Sequence, residues 1–124
     1  MANNSMQKIL DEIDAIQFLE ENSLFPLEKL VDRFFKHPQA GDFLNVWFRL
    51  YERCEDNSNG IFMTILHGIE TYHPQCDHLV VESVLRKPSS FPLMMLIRLI
   101  NGGCTGVNGV ILQKLYDENI DIST

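Results

Sequence analysis

The stretch from His67 to His78 collects side chains that could bind a metal ion. The potential ligands are three imidazoles, a carboxylate and a thiol: His67, His73, His78, Glu70 and Cys76. Structural zinc sites usually take two ligand pairs from separate elements, and the HExxH motif places its histidines four positions apart. Here the groups fall across a predicted helix end and Pro74, and no second ligand pair follows. We therefore predict ordinary polar residues in this stretch, with no metal ion or other cofactor.

Nucleophilic catalysis has no better sequence support. The chain contains serines and three cysteines, but no GxSxG elbow and no glycine-rich phosphate loop after a strand. Gly102 and Gly103 are more simply explained as a helix C-cap. The cysteines form no CxxC pair and are odd in number, which favours reduced thiols in a cytoplasm. We predict that the protein is not an enzyme; the alternative, a small metal-dependent hydrolase, requires metal in the purified protein.

Arg98 is the charged residue inside the most apolar segment, Phe91 to Asn101, in which nine of eleven residues are apolar or proline. A helix that is apolar on nearly every side must be buried on nearly every side, so we predict that this helix runs through the middle of the domain. An unpaired guanidinium there would cost several kcal/mol. We therefore expect a carboxylate beside it, and Glu70, at the end of the apolar stretch from Ile61, is the best candidate. We interpret this buried pair as structural.

The rest of the chain must position these residues, and its apolar residues recur at helical spacing. The predicted helices run from a cap at Asn4 or Ser5 to about Glu21, Pro26–Lys36, Asp42–Cys54, Asn59–Tyr72, Pro74–Leu85, Phe91–Asn101 with a cap at Ser89 or Ser90, and Thr105–Glu118. The tail beyond Glu118 is predicted to be frayed. This pattern predicts one all-α domain over residues 1–124, with six to seven short antiparallel helices. They would form a HEAT-like α-solenoid or a compact helical bundle.

The charge of the chain restricts its partners. With 17 acidic and 10 basic residues, the net charge is −7, which argues against nucleic acid or an anionic membrane and favours a basic protein. No apolar run reaches the roughly 18 residues of a membrane span. The N-terminus has no basic region followed by an apolar one. We therefore expect a soluble, cytoplasmic protein.

Two short motifs suggest a family. His67-Gly-Ile-Glu70 lies on one predicted helix and Arg98-Leu-Ile-Asn101 on another. Over about residues 59–103, this order resembles the helical immunity proteins of bacterial polymorphic-toxin and contact-dependent growth inhibition systems, which carry H-x-I-E followed by R-I-x-N. The resemblance implies that His67, Glu70, Arg98 and Asn101 form a structural motif. It also implies a non-enzymatic protein that binds the C-terminal domain of one cognate toxin and blocks it.

The acidic residues indicate where such a toxin could bind. Toxins that attack nucleic acid need basic clefts, and an acidic partner can be steered to such a cleft and cover it. Residues 1–56 hold 11 acids and 6 bases, so we predict the contact in this half. The candidate toxin-binding residues are Asp11, Glu12, Asp14, Glu20, Glu21, Glu52, Glu55 and Asp56. Each could equally be a solvated surface residue, and a helical-repeat scaffold or adaptor without a toxin partner is the alternative function.

Overall fold

The computed structural model describes residues 3–16, 24–54 and 61–123. Within them the chain is mostly helical, as predicted, with one short two-stranded sheet. The helices are α1 Asn4–Asp14, α2 Leu24–Lys36, α3 Asn45–Arg53, α4 Ile61–Glu70, α5 Asp77–Arg86, α6 Ser90–Asn101 and α7 Leu112–Ser123. The strands are β1 Gly106–Val107 and β2 Val110–Ile111, and a short 3-10 turn spans Ala40–Asp42. No helix among the described residues is long and apolar enough to cross a membrane.

The first helix begins and ends differently from the prediction. Its N-cap is Asn3, whose side-chain oxygen accepts a hydrogen bond from the backbone N–H of Met6 at 2.9 Å, so neither Asn4 nor Ser5 is the cap. The helix ends at Asp14, although it was predicted to continue to Glu21. Arg53 donates from Nη2 to the carbonyl of Ile13 at 3.1 Å. A cation at this position satisfies a carbonyl at the helix C-terminus.

Three aromatic rings join the middle of the core. Tyr51 of α3 stacks on Phe91 of α6, with ring centroids 4.3 Å apart. Phe62 of α4 packs edge-on against both rings, at 5.5 and 5.2 Å. All three residues are almost completely buried. Offset stacks and edge-to-face pairs stabilise a core beyond their buried area, and these rings fix where α3, α4 and α6 meet.

The buried part of the predicted central helix ends at Leu96. Phe91, Met95 and Leu96 of α6 are at most 2% exposed, although Met94 among them is 40% exposed, and Arg98 beyond them is exposed. The expectation that α6 is enclosed on nearly every side is therefore wrong for its last turns. The physical reason is that α6 extends beyond the aromatic cluster to the edge of a cleft. Apolar residues at such an edge are common, because polar atoms cannot cover a whole protein surface.

The predicted last helix begins seven residues later than expected. A β-hairpin precedes it, with Gly106 paired to Ile111 and Val107 paired to Val110. Asn108 and Gly109, between the strands, have positive φ angles of 49° and 82°. Positive φ at both central residues is the geometry of a type I′ turn, for which Asn-Gly is the preferred sequence. Helix α7 then continues to Ser123. The prediction of a frayed tail beyond Glu118 is therefore wrong for residues 119–123.

The helices contact one another in a regular order. Contacts join α1 to α3 and α3 to α5, and separately join α2 to α4 and α4 to α6. Further contacts join these two sets through the pairs α1–α2, α3–α6 and α5–α6, and α7 packs on α6. The end of α4, the start of α5 and the last turns of α6 are thereby held around one cleft.

Candidate functional site

A cleft of about 690 Å³ lies between the end of α4, the α4–α5 turn, α6 and the segment leading into β1. We call it the motif cleft. Its apolar lining comes from Val80, Met95 and Leu99, and its polar lining includes two pairs of facing side chains: Glu70 with Arg98, and His73 with Asp77. The volume is in the range of ordinary ligand pockets.

Glu70 and Arg98 form a bidentate pair at the edge of the motif cleft. Arg98 donates from Nε to Glu70 Oε2 at 2.6 Å and from Nη2 to Oε1 at 2.8 Å. The hydrogen bond to Glu70 raises the pKa of Arg98. The predicted partnership is confirmed, but the predicted burial is wrong, because the side chains of Arg98 and Glu70 are 39% and 30% exposed. Solvent at the cleft edge reaches both charges.

The second pair joins the α4–α5 turn to the start of α5. His73 Nδ1 and Asp77 Oδ1 are 2.8 Å apart. Asp77 is only 5% exposed. It occupies the first turn of α5, where the helix dipole favours a negative charge, and His73 covers its carboxylate from the solvent side.

Burial, with the adjacent charge of Asp77, raises the pKa of the Cys76 thiol to about 11. Because the thiolate is the nucleophile and the metal-binding form, this thiol is suited to packing.

Among the described residues, no group of three His, Cys, Asp or Glu side chains is arranged to hold a metal ion. His67 is exposed on α4. His78 is also exposed.

The predicted toxin-binding acids fall into three groups. Those on α1 are exposed: Asp11, Glu12 and Asp14. Glu12 pairs with Arg33 of α2 at 2.9 Å, with both side chains nearly half exposed. Glu52 lies on α3, and its side chain is mostly buried. The other four candidates lie outside the described residues: Glu20, Glu21, Glu55 and Asp56.

Glu52 is the centre of a polar network that ties α3 to α5. Its carboxylate accepts hydrogen bonds from Ser83 Oγ at 2.8 Å, Arg86 Nη2 at 2.7 Å and Arg49 Nη1 at 3.1 Å. Only 11% of the Glu52 side chain is exposed. Burial alone would raise the pKa of Glu52, but the hydrogen bonds from Arg86 and Ser83 and the charge of Arg86 lower it overall. The carboxylate is thus occupied within the fold.

Only the contact between Arg49 and Glu52 could be predicted from the sequence. The spacing of Arg49 and Glu52 permits a pair within one helix, and it forms. Ser83 and Arg86, however, approach from α5, which lies more than 30 positions away along the chain. Helical spacing cannot identify such partners, because they depend on which helices pack together.

A second depression of about 400 Å³ lies between α2 and α4, and we call it the α2–α4 groove. Its lining residues are Glu28, Val31, Asp32, Phe35, Ile61, Thr64 and Gly68. The sequence analysis assigned none of these residues to a site. Phe35 was missed because Phe34 beside it fits the buried face of α2, and Phe34 is fully buried while Phe35 is half-buried.

The structure brings together two of the four motif residues. Glu70 and Arg98 are in direct contact, whereas His67 and Asn101 are exposed near the ends of their helices. No protein-family model, no curated protein and no solved structure matches this chain. The function must therefore be argued from the geometry of the motif pair, the acidic surface and the two clefts.

Proposed function

We propose that this protein is a cytoplasmic immunity protein that binds one cognate bacterial toxin domain, of nuclease type, and neutralises it by stoichiometric occlusion. The observation that carries the proposal is the bidentate contact between Glu70 and Arg98, which are 28 positions apart in the chain. The family resemblance depends on the two motifs that contain these residues. Their direct contact supports interpreting the two motifs as one unit.

The surface charge supports the same function. The chain carries a net charge of −7, and the acids of α1 are exposed. A nuclease binds the phosphates of its substrate through basic residues, and complementary charge speeds the encounter with an acidic inhibitor. Asp11, Glu12 and Asp14 are therefore our first candidates among the described residues for contact with the toxin.

The chemistry of the motif cleft supports binding over catalysis. Its ionisable side chains contact each other in two pairs, Glu70 with Arg98 and His73 with Asp77. The Cys76 thiol has a pKa of about 11 and stays protonated near neutral pH. General acid–base or nucleophilic catalysis requires groups whose pKa values match the reaction, and a nucleophilic thiol needs a lowered pKa. The pKa of the Cys76 thiol is raised instead.

The order of helix contacts supports a HEAT-like stack of antiparallel helix pairs over a compact bundle. In our proposal, α1, α3 and α5 form one layer and α2, α4 and α6 form the other, since each helix contacts the next one in its own layer. Stacked repeats make this kind of nearest-neighbour contact. Such a stack would offer an extended face to a partner.

The proposal predicts that the gene immediately upstream encodes a toxin C-terminal domain, and the test is co-expression of that domain with this protein. We expect a one-to-one complex and complete loss of toxin activity at one equivalent, without turnover of the inhibitor. A toxin domain from a different system of the same kind is the control and should remain active. If the upstream toxin domain neither binds nor loses activity, the proposal is wrong and the scaffold alternative takes its place.

A further inference from the structure

The α2–α4 groove has an aromatic wall whose position is fixed by its neighbours. The Phe35 ring stacks on Trp47 at 6.0 Å with the planes 14° apart, and it meets Phe34 edge-on at 4.9 Å. Gly68 of α4 lies so close that a Cβ atom there would be 2.7 Å from the same ring. The glycine thus allows α4 to approach Phe35, and the ring has little freedom to move away.

Two carboxylates border this wall. Glu28 and Asp32 are one helical turn apart on α2, and both are exposed. Among the described residues, no basic side chain lines the groove. Asp32 pairs with Lys36 at 2.9 Å, but the two side chains are 59% and 75% exposed. An exposed pair of this kind contributes about 0–1 kcal/mol. A second cation can therefore displace Lys36 or share Asp32 with it at small cost.

The apolar wall of the groove and the two carboxylates beside it together favour a long cationic side chain as the ligand. Lysine and arginine place an apolar stem along apolar surface and keep the charged end near carboxylates. Val31, Ile61 and Phe35 can contact such a stem, while Glu28 and Asp32 can contact its charged end. We propose that the α2–α4 groove binds a lysine or arginine side chain of the toxin domain, an inference that rests on the proposed function.

Helix α2 lies between the groove and the acidic surface of α1. Helix α2 packs against α1 and against α4, and Glu12 of α1 pairs with Arg33 of α2. The exposed residues of α2 form a strip along the helix. Arg33 lies on one side of this exposed strip, and Glu28, Asp32 and Phe35 lie on the other side. A partner that covers the exposed strip of α2 can therefore reach the α1 acids on one side and the groove on the other.

The first test uses two small probes that differ in side-chain charge. The isotope-labelled protein is titrated with N-acetyl-arginine amide and with N-acetyl-norleucine amide, and backbone amide shifts are followed by NMR. We expect saturable shifts over residues 28–35 and 61–68 with the arginine probe, and clearly smaller ones with the neutral probe. Equal shifts with both probes, or shifts confined to other residues, overturn the inference.

The second test uses the upstream toxin domain and two double variants of equal charge change. Glu28→Gln with Asp32→Asn removes the groove carboxylates, and Glu82→Gln with Asp117→Asn removes two exposed acids on α5 and α7. We expect the groove variant to bind ~10-fold more weakly and the control to stay near wild type. Circular dichroism first confirms that both variants are folded.

Failure of the groove inference can be distinguished from failure of the proposed function. If the wild-type protein binds the toxin and the groove variant binds equally well, the groove inference is wrong and the proposed function stands. If the wild-type protein does not bind the toxin at all, the proposed function is wrong. In that case the groove loses its proposed occupant, and the inference fails with it.

Discussion

At the scale of single residues, the exposure of the Glu70–Arg98 pair decides how much it stabilises the fold. The sequence predicted a buried pair, for which removing one partner costs about 3–5 kcal/mol. At 39% and 30% exposure, solvent screens both charges, and surface pairs contribute about 0–1 kcal/mol. The bidentate geometry places this pair at the upper end of that smaller range.

We therefore expect Glu70→Ala and Arg98→Ala each to lower the free energy of unfolding by about 1 kcal/mol or less. A double-mutant cycle measured by urea denaturation gives the coupling, which should weaken as salt is added. Lys114 and Glu118, an exposed pair at 4.0 Å, are the control and should show almost no coupling. A loss of several kcal/mol for either single variant would contradict the exposed geometry.

Glu52 should matter more for stability than the motif pair. It is mostly buried, and its removal leaves Ser83 Oγ, on a residue of 0% exposure, without its acceptor. A buried polar group without a partner costs about 1–3 kcal/mol. We expect Glu52→Ala to destabilise the protein by ~2 kcal/mol in urea denaturation, and Glu82→Ala, at an exposed position on α5, by less than about 0.5 kcal/mol.

The same network makes stability depend on pH. The pKa of Glu52 in the folded protein is lowered from 4.5, so its contribution is fully present above that value. The contribution is lost as the pH falls through the lower folded pKa, because protonation ends the charge-assisted bonds. Thermal melts of wild type and Glu52→Gln should therefore differ most near neutral pH and converge in acid. A constant difference across this range would contradict the prediction.

The sequence allowed part of this residue-level description to be predicted. Arg98 needed an acid, and only Glu70 on the preceding apolar helix could supply one, so chemistry alone identified the pair. The burial of Arg98 could not be predicted, because it depends on where α6 leaves the aromatic cluster. Glu52 was misassigned to the surface for a similar reason, since its partners Ser83 and Arg86 belong to a different helix.

At the scale of elements, the most apolar segment gave the most accurate helix prediction. A helix over Phe91–Asn101, with a cap at Ser89 or Ser90, was predicted, and α6 is observed at Ser90–Asn101. The hairpin was missed although Asn108-Gly109 is a strong turn signal. The apolar run from Val110 to Leu112 fits the start of a helix equally well, and strands of two residues give no alternation to detect.

The hairpin provides an element-level prediction. Gly109 has a φ of 82°, and an L-residue in this left-handed region costs roughly 1–2 kcal/mol. We expect Gly109→Ala to lower the free energy of unfolding by ~1 kcal/mol in urea denaturation. Asn108→Gly is the matched control and should be near neutral, because glycine accepts the φ of 49° at that position. Equal effects of the two changes would mean that the turn is not type I′.

At the scale of the whole molecule, the acidic side chains divide into those that are paired within the fold and those that are exposed on its surface. Glu52, Asp77 and Glu70 are each bound by side chains of this chain. Asp14 and Glu28 are exposed acids on α1 and α2. Counting acids in the sequence could not separate these two groups, because burial and pairing depend on the packed helices.

The last prediction separates net charge from the position of the charge. Asp11→Lys with Asp14→Lys changes α1, whereas Glu82→Lys with Asp117→Lys changes the net charge equally on α5 and α7. If the α1 acids steer the toxin, the first variant should associate ~10-fold more slowly at low salt, with the dissociation rate little changed. At 0.1 M salt, where the Debye length is only about 10 Å, the control should be affected much less than the α1 variant. Stopped-flow measurements at low and high salt test this. Equal slowing by both variants would assign the effect to net charge, and no slowing by either would place the contact away from α1.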